Sequence, residues 1–312
     1  RQRRLTSAPR TMPLTALCDL PAPAKLNLFL HVIGRRDDGY HLLQSVFTLI
    51  DWADTLHLER RDDGQLIRHD LGPALPADDL CLRAARLLQA ESDCQHGADI
   101  SIDKRVPWGA GLGGGSSDAA TVLIGLNRLW ALNWPRERLI SLGARLGADV
   151  PFFIGGHNAF VEGIGERLTP VELAPQFFAV LKPPQPLGTA AIFSSPLLTR
   201  NTDPVIVAGF LADAKSLAES ERGAAQTVRG FAGHNDLQRA AEGLCPEVAE
   251  AGRWLQARFG NSRMTGSGSA VFARAGAGER PVATMLEGEW PEGWVGRMCR
   301  SLEVHPLSGW LG

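Results

Sequence analysis

An α+β fold in two domains is what this 312-residue chain predicts. Strand-like and helix-like segments follow one another without regular strand–helix–strand alternation, which argues against a doubly wound parallel sheet. The length favours two cores over one, and the proline-rich stretch at 182–186 is a natural place for the chain to pass between them.

The first element is read from Lys25, Asn27, Phe29 and His31, which alternate with Leu26, Leu28, Leu30 and Val32. A period of two marks a strand with distinct faces and puts Lys25 and Asn27 on the same one. A turn at Asp37-Asp38-Gly39 leads to β-prone segments at Tyr40 to Ile50 and at Thr55 to Leu58, then to a helix from Leu80 to Leu88. Ile100-Ser-Ile102 is a short strand. Ala119, Val122, Leu123, Leu126, Leu129 and Trp130 recur at three- and four-residue steps and predict a helix with Ser116, Ser117 and Asp118 as capping residues. A further helix spans Pro135 to Leu146 and is closed by Gly147, with Asp149 in a loop before Val150-Pro151. Strands are expected at Asn158 to Glu162 and at 177 to 181, helices at Ala208 to Gly223 and Asp236 to Phe259, and a glycine-serine loop entering a strand at Met264 to Arg274.

Composition narrows the function. Hydrophobic residues make up 44% and charged residues 21%, with a formal net charge of −2, so no basic excess exists to neutralise nucleic acid or a membrane surface. No apolar run reaches the length of a membrane span. The cysteines at 18, 81, 94, 245 and 299 are odd in number and contain no Cys-x-x-Cys pair, which fits a reducing cytoplasm and neither a zinc cluster nor a disulfide framework. Residues 1–18, with Arg1, Arg3, Arg4 and Arg10, superficially resemble a transit peptide; they are read as a tail outside the fold, with Met12 a candidate start.

The most informative segment runs from Pro107 to Ala120, where five glycines occupy seven positions and lead into two serines, an aspartate and the apolar helix. Glycine lets backbone N–H groups approach a ligand, and a helix N-terminus offers unpaired donors, so the segment nominates a phosphate site. An ordinary capped connection is the alternative for any lone Gly-x-Gly. No Gly-x-x-x-x-Gly-Lys-Ser/Thr string and no protein-kinase signature occurs. Gly109-x-Gly111-x-x-Gly114 matches the dinucleotide fingerprint, but Trp134-Pro135-Arg136-Glu137 stands where a second strand should end in an acid.

Pro-Trp-Gly-Ala-Gly-Leu-Gly-Gly-Gly-Ser-Ser-Asp-Ala-Ala resembles the phosphate loop of the GHMP small-molecule kinases, and Met264-Thr-Gly-Ser-Gly-Ser-Ala-Val-Phe272 resembles their C-terminal glycine motif. Pro23 to Leu30, Asp38 to Phe47 and Gly147 to Phe153 extend the resemblance, in order, over residues 21 to 273. They point to the branch of the family that acts on a cytidylyl-linked methylerythritol. The resemblance implies a ribosomal protein S5 domain 2-like ATP-binding domain at 19–170 and a ferredoxin-like α+β domain at 171–312, with substrate between them. It implies ATP and Mg²⁺ as cofactors, a cytidine diphosphate small molecule as partner, and a monomer or weak homodimer with no nucleic acid or membrane partner.

Residue by residue, Lys25 and Asp149 match the family's catalytic pair. A carboxylate can take the proton of an attacking alcohol, and a lysine can hold that carboxylate ionised and offset charge on the acceptor and phosphoryl oxygens. Lys104, Pro107, Gly109, Gly111, Leu112, Gly113, Gly114, Gly115, Ser116 and Ser117 fall to the nucleotide, Ser117 also being a metal candidate or simply the N-cap. Asn27, Tyr40, His41, Phe47, Thr189, Phe193, Gly266 and Ser267 fall to the substrate. Tyr40 would stack on the base with Phe193 opposite, while His41 reads its polar edge. Gly268 closes the far side, and Asn235-Asp236-Leu237 is expected to cap a helix. Asp78-Asp79-Leu80 departs from the family, which has Asn in place of Asp79; an acid cannot donate as an amide can. Kinases of homoserine or mevalonate, a non-catalytic nucleotide binder and a dehydrogenase remain as competing readings.

Overall fold

The computed structural model describes residues 14–220 and 229–311. Two long antiparallel strands, β1 (Ala16–Arg35) and β2 (His41–Arg61), are joined by the turn in which Gly39 takes φ +91°. Their pairing is interrupted between Pro23 and Lys25 and again between Asn27 and Leu30. Proline has no N–H to give a ladder, so a strand carrying Pro21 and Pro23 bends away from its partner there. The freed donors go elsewhere: Lys25 N–H bonds the Leu112 carbonyl at 2.9 Å, and Asn27 N–H bonds Thr265 Oγ1 at 2.9 Å.

β2 is the hub. It pairs with β3's neighbour β4 (Gly97–Asp103) through residues 55–61, with β5 (Ala159–Gly163) through 43–47 and with β10 (Val295–Leu302) through 49–50. The sheet continues outward from β4 to the parallel β3 (Leu66–Asp70), and from β10 through β7 (Phe177–Lys182) and β9 (Val271–Gly276) to β8 (Arg263–Met264). β6 (Arg167–Pro170) pairs with β5. Both halves of the chain therefore share one twisted sheet.

Helices α1 (Leu80–Ser92), α2 (Gly114–Leu129), α3 (Arg136–Gly143) and α4 (Val150–Gly155) bury a core that includes Leu56, Leu58, Leu88, Leu123, Leu126, Phe152 and Phe153. On the other half α5 (Thr189–Phe193), α7 (Gln238–Leu244) and α8 (Pro246–Phe259) close over Leu181, Ile192, Val248, Leu255 and Val271. Between them lies a third cluster, in which Leu26, Phe29 and Ile50 meet Phe178, Phe272 and Phe210 of α6 (Val207–Ser220). The chain end returns to the first core, where Leu307 and Leu311 flank the turn Ser308–Trp310.

The α+β class is observed, with several local differences. The two β-prone segments of 40–58 form one strand, because β2 is long enough to serve four partners. Ala16 and Leu17, assigned to the tail, already pair with Glu59 and Leu58; residues 1–13 lie outside the described residues, as does the expected end of the 208–223 helix beyond Ser220. The long helix of 236–259 breaks at Cys245, since the residue before Pro246 is pushed to extended backbone, here ψ 93°. α3 ends early, at Gly143, and the segment read as a loop after Asp149 is the short helix α4. Ser116, Ser117 and Asp118 do not cap α2: they lie inside its first turns, and the cap is Gly113 in left-handed backbone, φ +71°.

The middle cluster ties the halves together, so its largest β1 side chain is diagnostic. Phe29 is fully buried and touches Phe210 at 5.1 Å between ring centroids. Phe29→Ala is expected to lower unfolding stability by about 3–5 kcal/mol, read from urea unfolding midpoints.

Candidate active site

The two glycine loops meet face to face. A Cβ at Gly111 (φ +74°) would run into the Thr265 carbonyl oxygen, and one at Gly266 (φ +55°) would lie 2.9 Å from Gly111 Cα. Only backbone fits in this contact. It is stitched by Ser269 N–H to Gly109 O and Ala270 N–H to Ala110 O, both at 3.1 Å. Together the loops line a cavity of about 370 Å³ with Lys25, Asn27, Phe47, Lys104, Asp149, Thr189 and Phe193 also on its wall. Pro107 and Leu112 line it ahead of α2, and Gly113, Gly114, Gly115 and Ser116 at its start, where the first N–H groups of a helix have no intrahelical partner. Gly266, Ser267 and Gly268 line the opposite side.

Lys25 and Asp149 come together across this cavity, Nζ to Oδ2 3.7 Å. The lysine side chain is 4% exposed and the carboxylate 31%, so the carboxylate is open to the cavity and the ammonium is sealed beneath it. Lys25 Nζ donates to Asn27 Oδ1 at 2.6 Å and sits 4.5 Å over the Phe47 ring. Asn27 is held in turn: its Nδ2 donates to Ser45 Oγ at 3.0 Å, and Thr265 Oγ1 donates to its Oδ1 at 3.3 Å. Burial pulls the Lys25 ammonium below the ordinary lysine pKa, while the charge and hydrogen bond of Asp149 work the other way. Asp149 stands at the head of α4 without capping it, which leaves its oxygens free for the cavity.

Lys104 reaches the cavity wall, but its ammonium is engaged from below. It contacts Asp54 Oδ2 and, at 2.7 Å, Asp118 Oδ2. Burial alone would depress its pKa; the carboxylates of Asp118 and Asp54 outweigh that and raise it. Burial pushes the Asp118 carboxyl well above the usual carboxylate range, with Lys104 opposing and Asp54 reinforcing. Asp54 also accepts the N–H groups of Arg105 and Val106 at 2.5 and 2.7 Å, so the triad fixes the chain as it enters the glycine loop. Ser117, the metal candidate, is fully buried, its hydroxyl donates to Pro23 O at 2.7 Å, and it is not on the cavity wall.

At the far end Thr189 Oγ1 and Ser267 Oγ are 2.9 Å apart. His41 and Phe193 stack on each other, centroids 5.0 Å and interplanar angle 27°, leaving no room for a base between those two rings. His41 Nε2 accepts from Arg200 Nε at 3.3 Å; burial and then the charges of Arg200 and Arg35 lower its pKa. Tyr40 is placed on the rim turn, 60% exposed, and is not part of the cavity wall.

Several contributors were missed in the sequence. Thr265 and Ser45 lie within two of the motifs but were given no role of their own, yet they orient Asn27 and through it Lys25. Asn235 accepts Leu237 N–H at 2.9 Å at the start of α7, as a cap would, and also donates to Met264 O at 2.8 Å and Gly266 O at 2.9 Å, so it holds the second glycine loop. Asp236 accepts Val32 N–H at 2.6 Å and the Thr202 hydroxyl at 2.7 Å, tying β1 to the loop at 202. Asp79 caps α1 through Leu82 N–H at 3.1 Å and pairs with Arg68 at 2.9 Å, so the acid is satisfied without an amide's donor. Among the described residues no group of three His, Cys, Asp or Glu side chains is placed to hold a metal ion, and no helix is long and apolar enough to cross a membrane.

Residues 79–157 match the family model described as GHMP kinases N terminal domain. A 4-diphosphocytidyl-2-C-methyl-D-erythritol kinase of Methylibium petroleiphilum is 66% identical over 302 residues, covering 96% of this chain and 100% of that protein. The enzyme of the same name from Variovorax paradoxus is 57% identical over 298 residues, covering 95% and 99%. Among solved structures, a 4-(cytidine 5'-diphospho)-2C-methyl-D-erythritol kinase superposes with TM-score 0.70 at 32% identity, over 90% of this chain and 98% of that one. A homoserine kinase from Cytophaga hutchinsonii superposes with TM-score 0.63 at 13% identity, over 96% and 98%, a likeness of fold alone.

The buried pair makes a directional prediction. Asp149 is the group that raises the Lys25 pKa against burial. In Asp149→Ala that pKa is expected to fall further, measured by ¹³C NMR of the reductively methylated lysine across a pH series; an unchanged or raised value would contradict the pairing.

Proposed function

Because this chain belongs to the GHMP kinases, and within them to the 4-diphosphocytidyl-2-C-methyl-D-erythritol kinases, we propose that its cleft transfers the γ-phosphoryl group of ATP to the 2-hydroxyl of that substrate. The chain is a small-molecule kinase of non-mevalonate isoprenoid precursor synthesis and uses ATP. The observation that carries the site assignment is the Lys25–Asp149 pair, 3.7 Å apart, facing a cavity walled by two glycine loops.

An alcohol is a weak nucleophile at neutral pH. Asp149, the carboxylate open to the cavity, accepts the hydroxyl proton as the alcohol oxygen bonds to the γ-phosphorus and the bond to the ADP oxygen breaks. Lys25, buried and held by Asn27, keeps that carboxylate charged and places a cation beside the acceptor oxygen and the transferring group. The backbone donors of residues 111–116 hold the phosphates; much of the rate comes from such positioning in a loose phosphoryl-transfer transition state. Lys104 acts beneath this loop, neutralising Asp54 and Asp118 and keeping the loop's entry fixed.

Mg²⁺ belongs to the same proposal. It binds nucleotide phosphates and keeps much of its water, so a site without a protein cage suits it. The cavity-facing oxygens of Ser116 and Asp149 would complete its shell, and when bound it would supply charge neutralisation to the phosphates. For the acceptor we assign Thr189 and Ser267 to its polar groups and Tyr40, His41 and Phe193 to its cytosine end. The exposed Tyr40 ring offers a free face, and His41, whose Nε2 accepts from Arg200, offers its other ring nitrogen as a donor. Cytoplasmic location, a monomeric or weakly dimeric state and a domain boundary near residue 170 complete the reading. Free cysteines at 18, 81, 94, 245 and 299, near-zero net charge and the separate clusters around α2 and α8 support it.

Turnover is tested by coupled ADP release with ATP and a panel of alcohols that includes the cytidylyl substrate; folded protein without turnover on that substrate defeats the assignment. Asp149→Ala is expected to lose about 10² to 10⁴ in kcat with the fold intact, and near-wild-type turnover would remove it from the mechanism. Tyr40→Ala is expected to raise KM for the cytidylyl substrate and leave KM for ATP little changed. Equal effects on both would contradict base stacking.

A further inference from the structure

The six residues of α4 leave their last carbonyls without intrahelical partners, and a helix this short must have them met from outside. Arg136 meets them. Its Nη1 donates to the carbonyls of Ile154 and Gly155 at 2.9 and 3.0 Å, and its Nη2 to those of Ser308 and Leu311 at 2.7 and 2.9 Å. His305 N–H adds a bond to Gly156 O at 2.8 Å, beside the left-handed Gly156 (φ +78°) that ends the helix. The turn at 308–310 is itself anchored, because Leu307 and Leu311 are buried in the first core.

Asp149 stands at the opposite end of the same helix. At 1.5 Å of rise per residue the two ends are about 9 Å apart, so a small pivot at one end displaces the other. The Asp149 side chain makes no capping bond that would fix it independently. Two rings seat α4 on the core: Phe152 packs edge-on to Phe47 at 5.2 Å, and Phe153 lies under Gly113, 3.0 Å from where a Cβ would project. Apolar packing of this kind is non-directional and tolerates small rotations. Four hydrogen bonds from one planar guanidinium do not.

We propose that Arg136 is a positioning residue for phosphoryl transfer: by clasping the end of α4 to the turn at 308–311, it sets where the Asp149 carboxylate meets Lys25 and the acceptor hydroxyl. The inference rests on Asp149 being the general base. A lysine cannot replace the clasp, since an ammonium presents its donors from one point rather than as a fork to four carbonyls.

The full chain is tested as Arg136→Lys and Arg136→Ala, with Asp149→Asn as the reference, at a temperature well below the melting point of each variant. Both Arg136 variants are expected to lose roughly 10- to 100-fold in kcat, the scale of a misplaced reacting group, with nucleotide Kd within about twofold of wild type. Added guanidinium is expected to restore part of the lost kcat in Arg136→Ala and nothing in Asp149→Asn. A folded Arg136→Lys with kcat within about twofold of wild type overturns the proposal, and so does a loss of kcat matched by an equal loss of nucleotide affinity. If Arg136→Ala does not fold, Arg136→Lys decides alone. Wild-type turnover in Asp149→Asn would instead bring down the catalytic reading from which the clasp proceeds.

Discussion

Where Gly111 lies against Thr265 and Gly266, two loops separated by some 150 residues touch through backbone alone, and the geometry of the site follows from how close that contact is. Any side chain at Gly111 would wedge the loops apart. Because they meet, the strand between them can give one N–H to each: Lys25 to Leu112 O and Asn27 to Thr265 Oγ1. Those two bonds replace the ladder bonds that β1 loses beside Pro23. The same departure from regular strand geometry that would weaken an ordinary sheet here aims Lys25 at the cavity.

The site contains two buried lysines with opposite surroundings, and the contrast separates chemistry from scaffolding. Lys104 has two carboxylates for one ammonium, and its charge is neutralised within the protein. Removing one member of such a buried group generally costs about 3–5 kcal/mol, since an uncompensated charge is left behind. Lys25 has one partially exposed carboxylate, an amide oxygen and a ring face. Its one carboxylate partner, Asp149, is itself open to the cavity. In the proposed reading a transferring phosphoryl group would bring a second anion to the same ammonium.

How much of this could be read from the sequence depended on whether the signal was local. Alternation along 25–32 correctly put Lys25 and Asn27 on one face, and glycine density picked out a loop that lines the cavity, because both are properties of neighbouring residues. What it could not give was any contact closed by the fold. Thr265, Ser45 and Asn235 act through side-chain hydrogen bonds to residues 18 or more positions away, and a Thr, Ser or Asn of that kind looks like any other. Ser117 failed for the converse reason. A hydroxyl near a helix start reads as a cap, but Gly113 in left-handed backbone begins the helix earlier and carries Ser117 round to face Pro23. Asp149 was legible as a residue and not as a structure, since Val-Pro was read as a loop where proline in the first turn instead starts α4.

The two ends of the cleft are built to different standards of rigidity, which bears on how one fold can serve different alcohols. The glycine-loop end is held by the sheet, by α2 and by two loops in backbone contact, with Ala110, Leu112, Thr265 and Ala270 buried between them. The acceptor end is made from the short helix α5, the rim turn carrying Tyr40 and a stack of His41 on Phe193, with exposed polar atoms between them. Few buried apolar contacts hold these parts, so they can be altered or shifted at small cost to the core. The proposed reading puts the chemistry common to a family of kinases at the first end and recognition of one particular alcohol at the second. Asp149, the general base of that reading, is carried by α4, whose far end is held by Arg136.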